Sequence, residues 1–161
     1  MRIDPLLQLL RRKARHTHKE LADILSLTEE KVKARLSEWE KDGTIVGYQA
    51  VIDPDRAGDE DVSAFIEVKL TPERGGGFDR LATRIARFEQ VTSCYLASGG
   101  YDLMVVVEGG DLREVASFVS EKLSTMDGVL STATHFRLKT YKENGFILDD
   151  PDEPERLAVT P

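Results

Sequence analysis

Few side chains in this chain are of the types that make or break bonds, and they are scattered. The histidines are His16, His18 and His135, and the one cysteine is Cys94. His16 and His18 stand two residues apart with no cysteine or carboxylate set to complete a metal site. No serine or cysteine has a credible base near it in sequence, as an activated nucleophile requires. Cys94 lies in an apolar run, where a thiol behaves as a small hydrophobe. Gly75-Gly76-Gly77 resembles a phosphate cradle only superficially, because no Lys-Ser/Thr follows, and it reads as a loop. No catalytic residue, metal or cofactor is expected, and the chain reads as not an enzyme. Hydrogen-bonding and charge chemistry remains, concentrated in Thr28–Lys41 (TEEKVKARLSEWEK). Val32, Leu36 and Trp39 at i, i+4 and i+7 form one apolar stripe. The opposite side presents Glu30, Ala34, Ser37 and Lys41, flanked by Lys31 and Lys33.

That surface needs a scaffold, and the stretch before it supplies one. Thr17 is placed to cap a helix from His18, with Glu20 reaching back three residues later. Leu21, Ala22, Ile24 and Leu25 are its apolar side. Leu25-Ser26-Leu27 is the turn, Thr28 the next N-cap, and Gly43 the stop of the second helix. A small residue at Ala22 and Val32 ten positions later suggest a helix-turn-helix, whose second helix can enter a major groove. The other reading is an ordinary helical hairpin. On the first reading Thr28, Lys31, Ala34 and Ser37 are the candidates for base edges or nearby phosphates, and Lys33 and Arg35 for phosphates. Arg35 lies nearer the apolar edge, where a structural bond to the linker is the alternative. Two features depart from a strong helix-turn-helix DNA reader, one in charge and one in the turn. Glu29 and Glu30 open the helix and repel phosphate, although Glu accepts from cytosine N4 and Glu29 can pair with Lys33. Ser26 stands where such turns favour Gly, at a cost of up to about 1 kcal/mol if φ is positive.

Charge divides unevenly along the 161 residues. The net charge is −7, yet residues 1–50 carry a net +2 and residues 51–161 a net −9. The whole protein is therefore no general polyanion binder, while its first part tolerates local phosphate contact. Asp4–Arg15 (DPLLQLLRRKAR) reads as a first helix, with Pro5 in its first turn and Arg11, Arg12, Lys13 and Arg15 crowding its end, where cations suit the helix dipole. No apolar run approaches a membrane span and no signal peptide opens the chain, so no membrane is expected and the cytoplasm is the expected compartment.

After Gly43, Thr44–Ile52 (TIVGYQAVI) reads as a small wing or an exit strand, with Gly47 at a turn. Residues 53–61 are acidic with Pro and Gly, as in a linker. The period then changes. Val62–Leu70 is a strand, Phe78–Phe88 a helix, Val91–Ala97 and Tyr101–Glu108 strands, Leu112–Met126 a helix, and Val129–Tyr141 a long last strand. The order β-α-β-β-α-β is the ferredoxin-like split βαβ, with two helices on one sheet face and the other face in need of cover, most simply by a second copy. The fold class is α+β: an N-terminal winged helix-turn-helix and a C-terminal ferredoxin-like βαββαβ domain. The expected bounds are 1–50 for the head, 51–61 for the linker, 62–142 for the sheet domain and 143–161 for an acidic tail. That tail reads as disordered or as an arm on a partner subunit.

This arrangement resembles the Lrp/AsnC family of transcriptional regulators. The resemblance rests on Leu21-Ala22, Leu27-Thr28, Val32, Arg35, Leu36, Gly43-Thr44-Ile45, Asp53-Pro54 and Gly99-Gly100-Tyr101-Asp102 followed by the apolar Leu103–Val107. It implies a sequence-specific DNA-binding regulator, dimeric and often tetrameric or octameric, with an amino acid or related metabolite bound between subunits. It places that effector at Gly99, Gly100, Tyr101 and Asp102, with Thr132 and Thr134 on the last strand (the RAM, or AsnC-type, domain). Physically, the two glycines let backbone N–H groups approach a carboxylate and Asp102 suits an α-amino group; a plain turn with Asp102 capping backbone is the alternative. Two heads on one dimer imply a palindromic operator on double-stranded DNA. The other functions left open are a sensor or protein-interaction module with impaired DNA binding, and an enzyme subunit similar to sirohaem decarboxylases.

Overall fold

The computed structural model describes residues 3–72 and 77–148. Gly75, Gly76 and the tail from 149 onward lie outside the described residues. The chain divides into two compact units. One comprises the residues up to Ile52 together with those from Lys142, and the other is Asp53–Tyr141.

In the first unit, α1 (Pro5–Arg12) is capped by the Asp4 carboxylate and starts on a proline. α2 (His18–Leu25) opens with a full capping box between Thr17 and Glu20. α3 (Glu29–Asp42) is capped by Thr28 and closed by Gly43 at φ +80°. Leu6, Leu21, Ala22, Val32 and Leu36 form its core, with Trp39, Leu25 and Ile45 packed against it. Such burial contributes about 1.5–3 kcal/mol for each large side chain. Residues 44–52 form no strand. Gly47, marked for a turn, does not have a positive φ, so the primed turn that a tight wing requires is absent. Lys142–Glu143 (β5) and Phe146–Ile147 (β6) form a hairpin in this same unit, with Asn144 and Gly145 both at positive φ between them. The acidic tail read from 143 therefore begins with a hairpin.

The second unit starts with α4 (Pro54–Ala57), a single turn capped by Asp53 and ended by Gly58, inside the stretch read as linker. A four-stranded antiparallel sheet follows in the order β2-β3-β1-β4. Its strands are β1 (Val62–Leu70), β2 (Val91–Leu96), β3 (Leu103–Gly109) and β4 (Val129–Phe136). α5 (Asp79–Ile85) and α6 (Leu112–Ser117) supply the helices, and α6 runs on as a π-helix over Phe118–Leu123. The core joins Ala64, Ile66 and Val68 of β1 and Leu103, Val105 and Val107 of β3 to Leu81, Ile85, Phe118 and Leu123 of the helices. The last strand ends at Phe136 rather than Tyr141 because its partner runs out: Phe136 pairs with Ala64, near the start of β1. Among the described residues no helix is long and apolar enough to cross a membrane.

Candidate nucleic-acid interface and ligand loop

The helix-turn-helix is built from local chemistry. The Thr17 N–H donates to Glu20 Oε2 at 2.7 Å and the Glu20 N–H donates to Thr17 Oγ1 at 3.1 Å. The Thr17 N–H, and then the Thr17 hydroxyl, which also donates to Glu20 Oε2 at 3.1 Å, hold the Glu20 carboxyl below its usual range. Ser26 adopts φ 53°, ψ 45°, the left-handed conformation, and the Leu27 N–H donates to the Ala22 carbonyl at 2.9 Å. The turn thus needs the conformation that costs a residue with a Cβ. Thr28 spends its hydroxyl on the Lys31 N–H at 3.3 Å. At the far end of α3 the Thr44 N–H donates to Asp42 Oδ1 at 2.8 Å and lowers that carboxyl's pKa. The Tyr48 hydroxyl donates to Glu40 Oε1 at 2.9 Å; burial first, then that bond, raises the phenol pKa.

On α3, Val32 and Leu36 are buried, while Thr28, Lys31, Lys33, Ala34 and Arg35 are exposed and Ser37 is half-buried. Ala34 and Ser37 line a shallow hollow on the outer face with Glu38, Lys41 and Asp42. Thr28, Lys31, Ala34 and Ser37 follow at three-residue spacing, a row inclined across the helix. Arg35 is committed elsewhere: its Nη1 lies 3.2 Å from Asp4 Oδ2. Its partner is the cap of α1 and not the linker. The pair ties α3 to the start of α1, is largely exposed, and contributes no more than about 1 kcal/mol. Among the ion pairs of the described residues there is none between Glu29 and Lys33. Glu29 and Glu30 occupy the first turn of α3, where carboxylates suit the helix dipole.

In the second unit, Gly99–Asp102 connects β2 to β3. Gly99 has φ +146°, and a Cβ at Gly99 or Gly100 would meet nothing within 4 Å. Asp102 is held three ways: its N–H donates to Val68 O at 3.0 Å, its carbonyl accepts from the Ala97 N–H at 2.8 Å, and its Oδ2 accepts from the Leu70 N–H at 2.7 Å. That last bond satisfies an N–H beside the register shift between Lys69 and Leu70. Of the two roles open to Asp102, backbone capping is present, and its Oδ1 has no partner among the described residues. Thr132 and Thr134 pair with Val68 and Ile66, so they lie on the helix-covered side of the sheet, where Thr132 Oγ1 is 3.1 Å from Ser124 Oγ. Leu103, Val68 and Thr132 form one row across three strands, which puts the loop roughly 10 Å from Thr132. Nothing in the sequence marked the Asp102–Leu70 bond, because it depends on the bulge.

The opposite sheet face carries Phe65, Glu67, Tyr95, Met104, Val106 and His135, exposed or half-buried, with His135 Nε2 3.3 Å from Glu67 Oε1. Cys94, opposite Val105, is half-buried on the core side, and burial pushes its thiol pKa up.

Two family models match the chain: the Lrp/AsnC ligand binding domain over residues 63–146 and a winged helix-turn-helix DNA-binding domain over residues 6–46. The uncharacterized HTH-type transcriptional regulator YugG of Bacillus subtilis is 44% identical over 157 residues, covering 97% of this chain and 95% of the relative. A transcriptional regulator of Neisseria meningitidis, solved as its L-methionine complex, is similar at 25% identity and a TM-score of 0.68, covering 88% of this chain and 94% of that one. A feast or famine regulatory protein of M. tuberculosis complexed with L-methionine is similar at 26% identity and TM-score 0.68, covering 89% and 95%.

Proposed function

Because the chain belongs to the Lrp/AsnC family of DNA-binding transcriptional regulators, we propose that it reads a palindromic operator as a dimer or larger assembly and answers to an amino acid held between subunits. The observation that carries the DNA half is the outer face of α3. Lys31, Lys33 and Ala34 are exposed, beside half-buried Ser37, on a helix that Val32 and Leu36 anchor to the head. Thr28 and Lys31 suit phosphates at the groove edge, Ala34 and Ser37 suit base edges, and Lys33 suits a flanking phosphate. Arg35 acts by holding α3 on α1, so its phosphate contact is secondary. One head carries few cations, so two half-sites bound together supply the affinity.

The ligand half is supported by the two similar proteins solved with L-methionine and by the open Gly99-Gly100 turn beside Asp102. The backbone there offers N–H groups to a carboxylate, and Asp102 Oδ1 suits an ammonium. Tyr101 is half-buried at the same turn. Thr132 and Thr134 complete the site from the last strand of a neighbouring copy. The uncovered sheet face with Phe65 and Val106 is the dimer surface.

A gel-shift titration on DNA upstream of the protein's own gene tests this. A shift that weakens steeply with salt and changes with one amino acid is expected. No shift at low salt, with or without amino acids, overturns it. A thermal-shift screen of the twenty amino acids identifies the effector, since a ligand that binds only the native assembly raises its apparent stability.

A further inference from the structure

The first unit carries a hollow of about 580 Å³ that neither surface above uses. Against roughly 30 Å³ for a water molecule, it has room for a stretch of peptide. Four cations from the end of α1 line it, Arg11, Arg12, Lys13 and Arg15, together with Leu10, Val51 and Phe146. Arg11, Arg12 and Arg15 have no ion-pair partner among the described residues, and Lys13 acts on Glu20 only through space. Four like charges around one concavity repel one another. The helix dipole offsets only part of that, so the hollow favours a polyanion with apolar side chains.

The chain carries such a segment one residue beyond the hairpin that lines the hollow. Asn144 and Phe146 are lining residues, the hairpin ends at Ile147, and residues 149–161 read DDPDEPERLAVTP. Asp149, Asp150, Asp152, Glu153 and Glu155 stand against the single Arg156, a net of −4, and Leu157-Ala158-Val159 follows. Thirteen residues reach at most about 45 Å, far more than is needed from the rim. A short tether also keeps its local concentration in the range of about 1 mM.

We propose that residues 149–161 seat in this hollow on their own chain, carboxylates on the four cations and apolar residues on Leu10, Val51 and Phe146. Seated there, they mask a cationic face of the head from DNA phosphates. The seating rests on charge and placement alone, whereas its effect on DNA rests on the reading under Proposed function.

The test uses the full chain with an amide tail (Asp149→Asn, Asp150→Asn, Asp152→Asn, Glu153→Gln, Glu155→Gln) and a fluorescent peptide of residues 149–161, read by anisotropy at low salt. The peptide should bind the amide-tail chain, and the unmodified chain at least about tenfold more weakly because its own tail competes. Affinity should fall steeply as salt rises and vanish when Arg11→Gln and Arg12→Gln are added. No binding at low salt, equal binding to both chains, or binding that survives the arginine changes overturns the seating. An amide version of the peptide, offered to the amide-tail chain with its arginines intact, makes the charge test independent of whether the arginine variant folds; binding as tight as the acidic peptide's also overturns it. In a second arm, random duplex DNA should bind the amide-tail chain several-fold tighter than the unmodified one. Unchanged DNA affinity with successful peptide binding overturns the masking and leaves the seating. No DNA binding by either chain counts against the DNA-binding reading and leaves the peptide result intact.

Discussion

Asp102 shows how one residue can carry both a structural and a binding role. Its Oδ2 satisfies the Leu70 N–H, and its Oδ1 is the atom proposed for an ammonium. Asp102→Ala should destabilise the sheet domain by about 1–3 kcal/mol, since a part-buried N–H loses its acceptor. Asp102→Asn retains an acceptor for Leu70 but loses the charge. Urea unfolding should therefore find the Asn variant near the parent, while its amino-acid thermal shift disappears; a surviving shift would place the ammonium elsewhere. Glu29 and Glu30 pose a different question, because both lie exposed in the first turn of α3. Glu29→Lys with Glu30→Lys should tighten DNA binding about tenfold at low salt and steepen its salt dependence. In a gel shift, no gain would mean that this turn of α3 does not approach phosphate.

The element of interest is the pair α2–α3 with its turn and caps. Ser26 is in the left-handed region with a Cβ, so Ser26→Gly should raise the head's stability by up to about 1 kcal/mol in thermal unfolding. The caps make the head acid-sensitive. Glu20 titrates below its ordinary 4.5 and Asp42 below its ordinary 3.8, each lowered by hydrogen bonds made only in the folded chain. A depressed carboxylate adds stability that is complete above the unfolded pKa and is lost as pH falls through the folded one. Far-ultraviolet circular dichroism should therefore show head helicity falling below about pH 4.5, and Glu20→Gln should flatten that fall. Thr17, Glu20, Thr28 and Gly43 were legible beforehand because capping depends on residues three or four apart. The lack of a strand over 44–52 was not, because β-branched residues there say nothing about whether a strand finds a partner. The β5–β6 hairpin left a usable sign, the Asn144-Gly145 dipeptide that favours primed turns; the acidic residues after it obscured that sign.

At the scale of the molecule, the described residues form two separate hydrophobic cores, one in the helical head and one in the sheet unit. Phe65 and Val106 sit opposite each other on the uncovered sheet face, 38% exposed in the case of Phe65. If a second copy covers that face, Phe65→Lys with Val106→Lys should give a folded monomer at micromolar concentration, as read by light scattering after size exclusion. Operator affinity should fall with it, since two half-sites would no longer be bound together. A dimer that persists would place the contact on another face.

By itself the sequence determined the main helices and the four sheet strands, their order and the family, because helical period, strand runs and caps are local and the Leu21-Ala22 to Asp102 pattern keeps its order along the chain. Tertiary structure decided which atoms meet. It gave Arg35 to Asp4, Asp102 to Leu70, Thr132 to Ser124 and the hairpin at 142–147 to the helical head. These contacts join residues through strand register, a bulge and chain return, and each depends on how distant segments align in space, which no local pattern encodes.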